Sequence, residues 1–260
     1  MDSPLIRFRG VKKAFGPKVV YRDLNLDVAR GETLTVLGAS GSGKSVLLKM
    51  LIGLLEADAG TIEFDGTNVV GLGEDDLLAV RRRVAYLFQG AALFDSLSVG
   101  DNVAYGLHEQ YWGKMSDDEV EHRVTQSLEL VGLPGIQDMR PSDLSGGMKK
   151  RVGLARTLAL HPEVILYDEP TTGLDPINTA RINHLISGLS RALGLTSIVV
   201  THDMGTAFSV STRVAMIAKG KVLLNLPTAE FRETDNSYVR DFIEGRAPEF
   251  EDVSVLISSS

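Results

Sequence analysis

The chain has 260 residues, 43% hydrophobic and 23% charged, with a formal net charge of −7 and no cysteine. That length supports one substantial core, or one core with a smaller subdomain, and the missing cysteines exclude disulfides and thiolate metal sites and indicate a reducing compartment. The acidic balance argues against a nucleic-acid-coating face or electrostatic adhesion to anionic lipid. No apolar run approaches the roughly 18 residues that span a bilayer, and Met1, Asp2, Ser3 and Pro4 lack the basic-then-apolar order of a secretion signal. At a membrane, such a chain is expected to be held by another polypeptide.

Taken in chain order, residues 5–11 alternate in part and residues 61–66 alternate apolar with polar. This predicts half-buried antiparallel strands in an N-terminal β subdomain. Between them, residues 33–37 read as a buried strand and residues 46–52 as a helix. The intervening Gly38, Ala39, Ser40, Gly41, Ser42, Gly43, Lys44 and Ser45 fit Gly-x4-Gly-Lys-[Ser/Thr] at every fixed position. Glycines let consecutive N–H groups turn inward as an anion nest, and the helix N-terminus adds partial positive charge. Lys44 can reach outer phosphates, and the Ser45 hydroxyl can ligate Mg²⁺.

Residues 91–161 change character and read as helical. Ser116 and Glu119 form a capping box, followed by Val120, Val124, Leu128 and Val131 on one apolar face. Ser145 can cap a second helix with Met148, Val152, Ala155 and Ala159 on one side. Lys149, Lys150 and Arg151 are expected on the opposite side. Residues 164–167 and 197–201 are unbroken apolar runs, typical of parallel strands covered on both faces. The tail, residues 246–260, mixes acidic and apolar residues and ends in three serines.

Asp168 and Glu169 follow the strand at 164–167. Two carboxylates at a strand end are costly in a core, so they call for a cation or a proton to manage. Beside a phosphate-binding loop, the first acid can hold Mg²⁺ and the second can polarise an attacking water. Leu144, Ser145, Gly146 and Gly147 form a second backbone nest opening a helix. One chain needs one cradle per nucleotide, so a second cradle suggests a site completed by another copy; the alternative is a glycine-rich cap that helps helices pack.

Together these residues resemble the nucleotide-binding subunits of ABC transporters, over residues 6–245. The resemblance implies an α/β fold: a P-loop NTPase core with a parallel sheet, an N-terminal antiparallel β subdomain and an inserted α-helical subdomain at about 91–161. It implies a single domain over residues 1–245, ATP and Mg²⁺ as ligands, and an ATP-sandwich homodimer on an integral membrane permease. Glu169 then resembles the general base, Lys44 the phosphate lysine, and His202 the switch histidine. Gln89 resembles the loop glutamine linking the γ-phosphate and Mg²⁺ to the permease, beside Ser45 and Asp168 at the metal. Asp175, in Gly173-Leu174-Asp175, resembles the dimer-interface aspartate. Phe15 or Tyr21 would stack on adenine. Ser145, Gly146 and Gly147 would meet the partner's nucleotide.

Met148 stands where that family usually has Gln, so any contact of its side chain must be apolar. With residues 88–99 it is similar to the ATPases of bacterial Mce-type lipid transporters, including the Mla system. That branch implies phospholipid cargo, a periplasmic-side lipid-binding Mce protein, a small cytoplasmic accessory subunit, and a peripheral location on the cytoplasmic side of the inner membrane. Leu93, Phe94 and Leu97 would either dock a permease helix or pack inside the helical subdomain. Residues 236–244 resemble the last helix of such ATPases, and the tail beyond either packs on a partner or is a loose terminus. The competing readings are a transporter for another cargo, a soluble ABC-type ATPase such as an iron–sulfur assembly factor, and an ATP-binding regulator without hydrolysis.

Overall fold

In a computed structural model, the described residues are 3–246. The chain opens with the antiparallel pair β1 (Ile6–Phe15) and β2 (Lys18–Val28). Ile6, Phe8 and Val11 on one strand and Leu24, Leu26 and Val28 on the other are buried, as the two-residue period of strands dictates. Gly10, at φ 58°, sits where the register shifts between Phe8 and Val11; a glycine bulge absorbs the extra residue. Next come β3 (Thr33–Leu37), buried along its whole length, and α1 (Lys44–Leu51). Strands β4 (Ala59–Phe64) and β5 (Thr67–Asn68) complete a four-stranded sheet in the order β2-β1-β4-β5.

Helix α2 (Glu74–Arg83) leads into β6 (Val84–Leu87). The helical stretch then contains α3 (Val99–Gln110), α4 (Asp117–Leu130), a 3-10 turn at Pro141–Asp143 and α5 (Gly146–Ala159). Both capping-box bonds at Ser116 are made: its N–H donates to Glu119 at 2.8 Å, and the Glu119 N–H donates to Ser116 Oγ at 3.3 Å. Val120, Val124, Leu128 and Val131 are all buried, as the spacing predicts.

Helix α5 corrects one expectation. Lys150 does not lie on a solvated face but is only 7% exposed. The cause is that α5 packs against α3, α4, β6 and the later helix at Pro176–Leu193, so it has little solvated side to offer. Gly153 permits the approach, since a Cβ there would lie 3.0 Å from Ala91 Cβ and 3.1 Å from Leu87 Cδ1.

The remaining elements are β7 (Val164–Asp168), α6 (Pro176–Leu193), β8 (Thr196–Thr201), α7 (Met204–Val210), β9 (Arg213–Ala218), β10 (Lys221–Pro227), α8 (Thr228–Arg232) and α9 (Ser237–Glu244). They extend a six-stranded sheet in the order β10-β9-β3-β8-β7-β6, parallel except for β10. Val36, Val164, Leu166, Ile198 and Val200 face the core shared with α1 and the antiparallel sheet. Ile165, Tyr167 and Val199 face the core shared with the helical stretch and α6. Coverage on both faces explains why these strands read as unbroken apolar runs. Helix α9 covers the helix expected at residues 236–244, with Asn236 as its cap. Beyond Arg246, the expectation for the tail falls outside the described residues. Among those residues no helix is long and apolar enough to cross a membrane.

Candidate active site

Strands β3, β6, β7 and β8 run in one direction and end at one edge of the sheet: Leu37 pairs with Thr201, Leu87 with Tyr167, and Asp168 with Val200. Ligands in open α/β sheets bind outside these carboxyl ends. Here the edge opens into a cleft of about 840 Å³ lined by the loop after β3, by Gln89 after β6, by Glu169 after β7 and by His202 after β8.

The loop from Gly38 to Ser45 is shaped by its glycines. Gly43 has φ 102°, and a Cβ there would lie 2.4 Å from Val20 Cγ1 and 3.2 Å from the Tyr21 ring. At Gly38 a Cβ would lie 2.5 Å from Ser42 Oγ and 2.8 Å from the Ile217 carbonyl. Ser42 Oγ is buried without a hydrogen-bond partner, a polar atom left for a ligand in a cradle that side chains would fill. The Tyr21 hydroxyl donates to the Gly43 carbonyl at 2.8 Å, and the residue is 1% exposed. Tyr21 therefore braces the loop from beneath and is not available to stack on a base. Phe15 is 45% exposed on the rim of the cleft, so it is not a core aromatic.

Lys44 is buried, with its ammonium donating to the carbonyls of Gly38 at 2.8 Å and Ala39 at 3.3 Å. It also lies 3.5 Å from Glu169 Oε1. Ser45 Oγ donates to Asp168 Oδ1 at 2.7 Å, while the Tyr86 hydroxyl donates to Asp168 Oδ2 at 2.8 Å. Burial, reinforced by the Asp168 charge, holds the Tyr86 phenol far above its ordinary pKa, so it remains a proton donor. Tyr86 is a site neighbour that the sequence alone does not reveal. No group of three or more His, Cys, Asp or Glu residues is arranged for a metal among the described residues. A hydroxyl and a carboxylate suit Mg²⁺, which takes few protein oxygens and keeps water or phosphate for the rest; Ser45 and Asp168 fit that donor set.

Glu169 is 9% exposed with φ 49°, a left-handed backbone that is uncommon for a non-glycine residue. Its Oε2 accepts from Thr201 at 3.2 Å and Thr172 at 3.3 Å, and lies 2.9 Å from His202 Nδ1. Its carbonyl accepts from the Lys150 ammonium at 3.2 Å, which also donates to the Gln89 carbonyl at 2.5 Å. Burial lowers the Lys150 pKa, partly offset by the charges of Glu169 and Asp168.

The second nest is not among the residues lining that cleft. Ser145 and Gly146 are exposed at the start of α5, where Ser145 Oγ accepts from the Met148 N–H at 3.3 Å. Nearby, a Cβ on Gly147 would lie 2.8 Å from the Asn178 amide, which in turn donates to Asp175 at 2.5 Å. The N–H groups of Asn178 and Ile177 also donate to Asp175, and these bonds hold its carboxyl below the usual range. Met148 is half-buried against the helical core, an apolar contact as its chemistry requires. Of the apolar trio, Leu93 packs into that core, whereas Phe94 is 42% exposed with its ring 4.6 Å from that of Tyr105.

A parallel sheet whose carboxyl edge carries a phosphate nest, a lysine, a hydroxyl–carboxylate pair and a second gripped carboxylate defines a P-loop nucleotide-hydrolysing protein. The family model described as ABC transporter matches residues 21–172. The chain is 38% identical over 247 residues to the intermembrane phospholipid transport system ATP-binding protein MlaF of Haemophilus influenzae, covering 95% of this chain and 93% of that protein. It is 39% identical over 241 residues to the probable ribonucleotide transport ATP-binding protein mkl of Mycobacterium leprae, covering 93% of this chain and 69% of that protein. Among solved structures, a dimeric ATP-binding cassette in a post-hydrolysis state with ADP and Pi superposes with a TM-score of 0.79 at 31% identity, covering 86% of this chain and 98% of that one. The chain belongs to the ABC transporter family, as one of its ATP-hydrolysing cassettes.

Proposed function

We propose that two copies of this chain enclose two ATP molecules and energise an integral membrane permease that moves phospholipid. The observation that carries the catalytic reading is the Glu169 carboxylate, gripped by Thr172, Thr201 and His202 beside Lys44. Glu169 is the general base for the attacking water, and His202 orients it. Lys44 and the N–H groups of the glycine loop bind the phosphates, and Phe15 stacks on the base. Ser45, Asp168 and Gln89 would hold Mg²⁺, which would neutralise phosphate charge. Ser145, Gly146, Gly147 and Asp175 serve the partner copy's nucleotide, which accounts for their absence from the lining of this chain's own cleft.

Nucleotide is then the shared filling between copies and favours the closed dimer; loss of the γ-phosphate removes that preference. The solved cassette with ADP and Pi is itself dimeric, which supports this arrangement. Similarity to MlaF along nearly the full length of both chains supports phospholipid as cargo. On this reading an Mce-type lipid-binding protein and a small accessory subunit complete the assembly, with the chain peripheral on the cytoplasmic side of the inner membrane. The name of the mycobacterial relative favours a ribonucleotide as the competing cargo.

Pull-down from detergent-solubilised membranes tests the proposal. It predicts co-purification of an integral permease and an ATPase rate that rises with phospholipid. Soluble partners alone, or a rate that responds to ribonucleotide cargo and not to lipid, would contradict it.

A further inference from the structure

Two cations on α5 reach the loop that follows β6. Lys150 donates to the carbonyls of Gln89 and Glu169, and Arg156 donates to those of Ala91 at 2.6 Å and Ala92 at 2.8 Å. Three of the four residues whose carbonyls they hold have left-handed backbones. Ala91 has φ 61°, Ala92 φ 47° and Glu169 φ 49°. Such conformations persist in non-glycine residues only where the surroundings over-determine them. At Glu169, the N–H donates to the Val200 carbonyl at 2.9 Å, and the carbonyl is taken by Lys150. Lys150 is buried, yet among the described residues no carboxylate oxygen lies within 4.0 Å of its ammonium. A buried cation demands polar partners, and here backbone carbonyls from two catalytic segments meet that demand.

We propose that Lys150 is a positioning residue for hydrolysis, tying the peptides of Gln89 and Glu169 to the helix that presents Ser145. The inference rests on the reading of Glu169 as general base. Movement of α5 is then felt at once at the ends of two adjacent strands, by the glutamine and by the base. Lys150 is not among the residues lining the cleft, so it acts through those two peptides.

The test is steady-state phosphate release by the full chain and three variants. Lys150→Met keeps the stem and removes every donor; Lys150→Gln keeps a shorter donor able to serve one carbonyl. Because small misplacements of reacting groups cost up to about 100-fold, the expected order of kcat is wild type, then Gln, then Met. The Met variant should fall at least about ten-fold, with the KM for ATP within about three-fold of wild type. A kcat for Lys150→Met within two-fold of wild type overturns the proposal, as does a joint loss of kcat, ATP affinity and thermal stability that Gln does not relieve. Should the Met variant fail to fold, Lys150→Gln decides alone: a wild-type kcat overturns the proposal, and a fall at unchanged KM supports it. Glu169→Gln separates the two readings. If it hydrolyses ATP normally, the general-base assignment fails; if it is inactive while Lys150→Met turns over normally, only the Lys150 role fails.

Discussion

His202 Nδ1 lies 2.9 Å from Glu169 Oε2, although the two residues are 33 positions apart and leave different strands. Parallel pairing of β7 with β8 creates that contact, since Asp168 stands opposite Val200 and each chain turns out of the sheet a residue or two later. The carboxylate reaches the cleft already oriented.

Glu169→Gln keeps the shape and removes the carboxylate proposed as the base. Loss of a positioned general base typically slows a reaction about 10²–10⁴-fold. Phosphate release should fall by that order while equilibrium binding of Mg-ATP persists. Hydrolysis near the wild-type rate would remove Glu169 from this role.

Lys44→Ala acts on binding itself. It deletes the buried cation 3.5 Å from Glu169 and 2.8 Å from the Gly38 carbonyl. Fluorescent-nucleotide titration should show markedly weakened affinity; unchanged affinity would count against the loop as the phosphate cradle. Asp168→Asn differs in kind, because it should raise the Mg²⁺ concentration needed for half-maximal turnover.

Gly43→Ala tests the loop geometry. At φ 102° with Val20 Cγ1 2.4 Å from the new Cβ, an alanine is both strained and crowded. Strain of this kind costs about 1–3 kcal/mol before any clash, so chemical denaturation should show a loss of at least that size together with weaker nucleotide binding. A fully stable Gly43→Ala protein that binds ATP normally would contradict the geometry.

Acid stability should depend on Glu163. Hydrogen bonds from Arg83 and then Arg30 hold its carboxyl below the usual value of 4.5. A depressed folded pKa adds stability above the unfolded value, and that stability is lost as pH falls through the folded one. Glu163→Gln should therefore flatten the decline in thermal midpoint below pH 4.5. An unchanged acid limb would show that the cluster contributes nothing measurable.

The nucleotide loop was readable because its chemistry is compressed into consecutive residues with fixed types. Strands β3, β7 and β8 were readable because burial on both faces leaves uninterrupted apolar runs. Tyr86 was not, since its hydroxyl meets a carboxylate 82 positions away and nothing local marks it. Lys150 was misplaced for a related reason. Periodicity on α5 set it apart from the apolar side, but its partners, 61 and 19 positions distant, come from two other segments and cover that side as well. The split fate of Leu93 and Phe94 likewise depends on tertiary packing around α3.

Light scattering on Glu169→Gln, with and without Mg-ATP, measures whether one chain's pocket needs a twin. A doubled molar mass that appears only with nucleotide, and vanishes when Ser145→Arg is added although ATP still binds, is the result expected. A mass unmoved by ATP, or a dimer indifferent to Ser145→Arg, would mean that the second nest does not complete the neighbouring site.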